Sequence, residues 1–155
     1  MSYTGVQTGG LVLVRARVEN RQDHHRVTLS TDGAARDLAI APKQTGSGSS
    51  ANGGELLALA VATCFCNDLY REAKAEGIEI RGVEVEAVAE FGGVGEPART
   101  IRYSARIFTD AGEERARRLA EHTDRVAGIH NTLRLGISVE LERVEISSSD
   151  SARLP

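Results

Sequence analysis

Apolar positions recur every second residue at the start of the chain. Val12, Val14, Ala16 and Val18 alternate with Leu13, Arg15, Arg17 and Glu19, the pattern of a strand with one wetter side. The polar run from Asn20 to His25 predicts a turn, and Arg26–Thr31 a second strand. Asp32-Gly33 then predicts a tight hairpin, because this dipeptide accepts positive φ at little cost. Asp37–Ala41 reads as a third short strand, halted at Pro42, which has no N–H for a ladder. The three strands form a meander.

A Gly- and Ser-rich loop from Lys43 to Gly54 leads into Asn52-Gly53-Gly54-Glu55. That is a capping box, with Asn as N-cap and Glu at N3. The helix it opens runs to about Glu76 and stops at Gly77. Its first half is apolar on every side, predicting full burial, and its charged second half, Asp68–Glu76, should reach solvent. Beyond it, Val83, Val85, Ala87, Ala89 and Phe91 alternate with Glu84, Glu86, Val88 and Glu90. After a Gly-rich turn, Ile101, Tyr103, Ala105 and Ile107 alternate with Arg102, Ser104 and Arg106. This predicts a long antiparallel hairpin with one buried face, its glutamates set to meet arginines across the strands. A second capping box, Asp110 to Glu113, opens a helix over about 111–121. A shorter helix over 127–135 ends at Gly136, a last strand spans Ile137–Arg143, and residues 147–155 are a polar tail.

The order βββ-α-ββ-αα-β defines an α+β class, an antiparallel sheet around a long central helix, in a single domain over residues 1–155. One sheet covers only one face of a helix that is apolar all round. A second copy of the chain covers the other face without extra sequence, which predicts a homodimer with these helices at its centre.

Composition narrows the function. The net charge of −3, and Glu113, Glu114 and Glu121 around the basic stretch Arg115–Arg118, argue against a nucleic-acid surface. The longest apolar run, Leu56–Cys66, is well short of the ~18–20 residues of a membrane span. Met1–Gly5 has no basic and apolar leader pattern, so a cytoplasmic protein is expected. No cofactor or metal is expected: Cys64 and Cys66 offer two ligands, and His24, His25, His122 and His130 do not complete a zinc spacing.

These two cysteines lie two residues apart on one helix. Side chains at that spacing point in different directions, so a disulfide between them would break the helix. Three readings stay open on the residues alone: buried packing, a metal clip, or one reactive thiol that a nearby cation turns into thiolate.

The segment Gly54-Glu55-Leu56-Leu57-Ala58-Leu59-Ala60-Val61-Ala62-Thr63-Cys64 resembles the signature of the OsmC/Ohr family, in which a Glu precedes a Cys in a buried central helix. The spacing of nine from Glu55 to Cys64 matches, as does the element order across nearly the whole chain. The resemblance implies an intertwined homodimer and thiol-dependent reduction of organic hydroperoxides or peroxides, an oxidative-stress role. It makes Cys64 the nucleophile, Glu55 an activator, and Arg21 the arginine beside the thiol, with Arg26 as fallback. Gly54 stands where the family has Pro. In the stretch Ala127–Leu133, Ala127 or a neighbour stands where the family has its second, resolving cysteine. A one-cysteine cycle, with a small peroxide as substrate and an external thiol as reductant, is then the expected chemistry. The alternative is an inactive homodimer that binds a small apolar or thiol-bearing ligand in the dimer crevice. His130 is either a surface residue or a donor to an oxidised Cys64.

Overall fold

The computed structural model describes residues 10–22 and 24–147. Met1–Gly5 and the polar tail beyond Ser147 lie outside the described residues. The elements are β1 (Val14–Arg21), β2 (His24–Thr31), β3 (Ala34–Leu38), α1 (Gly53–Ala75), β4 (Gly82–Phe91), β5 (Ala98–Phe108), α2 (Glu113–Val126) and α3 (Gly128–Leu135). The α+β class holds, with three helices and antiparallel sheets. The chain divides into two compact units, Met1–Ala58 and Leu59–Pro155.

The first unit is the meander β1-β2-β3 with the loop that follows it. Thr31 pairs with Ala34, so Asp32 and Gly33 form a two-residue turn, and their φ values of 47° and 88° fit the mirror-image turn that strand twist favours. The Asp32 carboxylate accepts the Leu13 N–H at 2.9 Å and ties the turn to the residue before β1. Both outer strands depart from the predicted bounds: β1 runs two residues further, through Asn20 to Arg21, and β3 starts three residues earlier, at Ala34. The first turn of α1 carries the predicted box. The Glu55 N–H donates to Asn52 Oδ1 at 2.9 Å, and the Asn52 N–H donates to Glu55 Oε2 at 2.7 Å.

The second unit holds the larger core. Phe65, Leu69 and Ala73 of α1, Ile78 after it and Leu119 of α2 form one buried cluster. Val83 and Val85 of β4 and Tyr103 and Ile107 of β5 pack against it. Full burial of a leucine such as Leu69 or Leu119 contributes about 1.5–3 kcal/mol. α1 ends where its sequence says. Gly77 turns left-handed at φ 64°, its N–H reaches the Lys74 carbonyl, and the Ile78 N–H returns 2.8 Å to Ala73. This closure lays buried Ile78 beside Ala73.

α1 is open on one side in the single chain, as a sheet that covers only one face requires: Val61, Phe65, Leu69 and Ala73 make a buried stripe at four-residue spacing, while Leu59 and Tyr70 are exposed. Three expectations need correction. The deepest burial of α1 falls in its second half, where Asp68, Leu69 and Ala73 are buried rather than in solvent, Leu69 and Ala73 in the cluster that β4, β5 and α2 residues complete. The second capping box does not form. The N-cap of α2 is Gly112 with no side-chain cap, and Asp110 instead pairs with Arg81. Finally, Ile137–Arg143 is no strand. A strand needs a partner edge, and in the single chain this segment lies unpaired with Ile137, Val139 and Leu141 exposed.

The predicted β4-β5 hairpin forms, and its glutamates meet arginines in part, since Glu86 faces Ser104. Glu84 faces Arg106 directly, whereas Glu90 meets Arg102 diagonally at 3.2 Å. A bulge between Glu90 and Phe91 then turns Phe91 outward.

Candidate functional site

Cys64 sits on α1 one turn before Asp68, and helical spacing puts their side chains on one face. The Cys64 Sγ donates to Asp68 Oδ2 at 3.4 Å. Asp68 is buried, and its second oxygen accepts from Nη1 of Arg71, one turn further on. The same guanidinium donates through Nε to Glu72 Oε1 at 2.8 Å, and Glu72 Oε2 lies 2.9 Å from His122 Nε2 on α2. A relay of polar groups therefore runs from the thiol along α1 to a histidine on the next helix.

On the other side the thiol meets the start of α3, where the Ile129 N–H donates to the sulfur. This amide is one of the unpaired donors that every helix leaves in its first turn. Burial pushes the Cys64 thiol above its usual pKa; the Ile129 amide, next in weight, pulls it down, the Asp68 carboxylate pushes it up, and Arg71 pulls it down least. The result is a thiol held protonated beside a carboxylate that is fixed by an arginine. Cys66 is likewise a free thiol.

Behind Cys64 lies an aromatic cluster. Tyr103 packs on Phe65 with ring centroids 5.0 Å apart and meets His130 edge-on at 4.7 Å. The Tyr103 hydroxyl donates to Asp124 at 2.5 Å, and Arg134 closes both Asp124 oxygens at 2.8 and 2.9 Å. Although burial opposes it, these two donors hold the Asp124 carboxyl below the usual range.

The residues read from sequence fall as follows. Cys64 is at the centre of this arrangement. Glu55 is engaged in the Asn52 cap, at the start of the same helix. Arg21 is the last residue of β1, paired with His24 through the backbone and exposed. Arg26 is bound to Asp37 on the meander at 3.0 and 3.1 Å. His130 is buried at 5% exposure, so its surface reading is corrected: the inner face of α3 carries it into the core. Sequence reasoning missed Asp68 and Arg71. The spacing Cys64, Asp68, Arg71 and Glu72 could have revealed them, since i, i+4, i+7 and i+8 share one helix face.

The chain is thus an α+β protein whose long helix carries a carboxylate-bound thiol. The family model for OsmC-like protein matches residues 46–142, and the chain belongs to that family. Solved structures share its fold. The OsmC-like protein from Mycoplasma pneumoniae is 19% identical with a TM-score of 0.59, over 82% of this chain and 89% of that one. An organic hydroperoxide resistance protein from Elizabethkingia anophelis, with thiocyanate bound, is 21% identical with a TM-score of 0.54, over 82% and 91%. The organic hydroperoxide resistance protein OsmC from Legionella pneumophila is 20% identical with a TM-score of 0.51, over 83% and 92%. A search of curated protein sequences finds no match. Among the described residues, no helix is long and apolar enough to cross a membrane.

Proposed function

We propose that this OsmC-like protein reduces organic hydroperoxides through Cys64 alone, as a homodimer in the cytoplasm. The observation that carries the reading is the Cys64 thiol bonded to the buried, arginine-bound Asp68. Sulfur attacks the terminal peroxide oxygen, the O–O bond breaks, and the thiol proton passes through Asp68 to the departing alkoxide. The products are Cys64 sulfenic acid and an alcohol. An external thiol then condenses with the sulfenic acid, releasing water, and a second thiol restores Cys64 and leaves as a disulfide. Arg71 holds Asp68 in place. Glu55 and Arg21 belong to this proposal as the activators implied by the family resemblance.

The homodimer draws support from the apolar faces left open in the single chain, Leu59 and Tyr70 on α1 and Ile137, Val139 and Leu141 after α3. The competing reading, an inactive fold that binds a small ligand, draws on one observation: burial and Asp68 favour the unreactive thiol. Treatment with cumene hydroperoxide followed by dimedone and mass spectrometry separates the two. The expected result is a dimedone adduct on Cys64 that is absent in Cys64→Ser. A folded wild-type protein whose Cys64 stays a thiol would exclude the peroxidase.

A further inference from the structure

His130 is the second residue after the α3 start and the next residue after Ile129, whose amide faces the Cys64 sulfur. It is 5% exposed, yet neither ring nitrogen has a hydrogen-bond partner among the described residues. Its neighbours explain why. Phe65 and Tyr103 offer it ring faces and edges. Asp124, whose charge reaches the ring, is already held by Tyr103 and Arg134. The charge of Asp68, which holds the thiol, also reaches the ring. A buried polar group without a partner costs about 1–3 kcal/mol. Such groups in a native core call for an explanation in water, ions or function.

We propose that His130 binds the oxygen that Cys64 takes from the peroxide. This deepens the hydroperoxide reading and rests on it. Burial keeps the imidazole neutral, with one N–H to give and no partner to give it to. When the sulfur gains oxygen and the O–O bond breaks, the new S–O oxygen enters the space between α1 and the first turn of α3. The Ile129 amide and the His130 N–H are the donors available there. The thiol proton still leaves with the alcohol, so His130 gains and loses none. The chain has no cysteine after Cys66, so this donor would stabilise the sulfenic acid until an external thiol arrives.

The test compares wild type, His130→Leu and His130→Asn under cumene hydroperoxide. Dimedone trapping reads sulfenic acid, and intact mass reads further oxidation to sulfinic acid. Losing one hydrogen bond to the transferred oxygen should lower the rate or lifetime of the sulfenic acid about tenfold in His130→Leu. His130→Asn, which keeps a donor, should recover part of it. His130→Leu should melt no lower than wild type, because it removes an unpartnered buried group. Equal sulfenic-acid rate and lifetime in wild type and His130→Leu would overturn the role of His130 alone. No adduct in wild type would overturn the hydroperoxide reading and this inference with it. The ¹⁵N resonances of the His130 imidazole decide the matter even if His130→Leu fails to fold. They should move when Cys64 is oxidised and stay fixed in peroxide-treated Cys64→Ser; no movement in the oxidised wild type contradicts the proposal.

Discussion

The two units carry equally clear sequence patterns and very unequal cores. Among the described residues, the first unit buries one hydrophobic side chain, Val27, and leaves Val14, Val18 and Leu38 open. The second buries Phe65, Leu69, Ala73, Ile78 and Leu119 as one cluster, because two helices and a hairpin close on a shared centre. Alternation therefore predicts a strand but does not supply the layer that covers it. A three-stranded sheet with exposed apolar residues is marginal by itself and gains stability from any surface that covers them.

The contrast breaks most sharply in the core. Leu119→Ala should cost about 2–5 kcal/mol in denaturant unfolding, by lost transfer energy and the cavity left behind. Leu38→Ala on the open sheet should stay within about 0.5 kcal/mol in the dissociated chain. Similar costs at the two positions would mean that the first unit is as well packed as the second.

Acid should act on the second unit next. Burial opposes ionisation of Asp124 and Glu72, but donors from Tyr103 and Arg134, and from Arg71 and His122, outweigh it and hold both carboxyls low. A carboxyl held low in the fold stabilises it above its unfolded pKa. That stability is lost as pH falls below about 4, through the lower folded value. Melting temperature should fall over that range, and Asp124→Asn should flatten the fall.

A smaller effect tests the start of α1. Asn52→Ala removes one half of the cap and should cost about 1 kcal/mol. Circular dichroism during urea unfolding would report it; no change would mean that the cap adds nothing to packing.

The smallest change in the single chain should carry a large change in assembly. Val139→Lys with Leu141→Lys adds charge to a segment that is already exposed, so the dissociated chain should lose little stability. Sedimentation should then show monomer, against the dimer proposed for the wild type. A mutant that stays dimeric would place the interface elsewhere.

Much of this fold was legible. The Asp32-Gly33 turn, the Asn52–Glu55 cap, the Gly77 stop and the β4-β5 hairpin each follow from a local rule that the structure obeys. The misses share a cause, competition from tertiary partners. Asp110 has the spacing of a cap but is drawn to Arg81 on another element. Ile137–Arg143 has the alternation of a strand but no edge to pair with in one chain. At the site, the motif singled out Cys64, yet Asp68 and Arg71 looked like a solvated helix face. Only the folded chain shows that Asp68 is buried and bound to the thiol.

The central claim is that Asp68 takes the Cys64 proton as sulfur attacks, and Asp68→Asn tests it most directly. Removing the carboxylate charge removes two of the influences that hold the thiol protonated, so alkylation by iodoacetamide should quicken. The second-order rate with cumene hydroperoxide should nonetheless fall by about 10²-fold or more, because the proton acceptor is gone. If Asp68→Asn reacts with hydroperoxide as fast as wild type, or faster in step with its alkylation, Asp68 only restrains the thiol and the account is wrong.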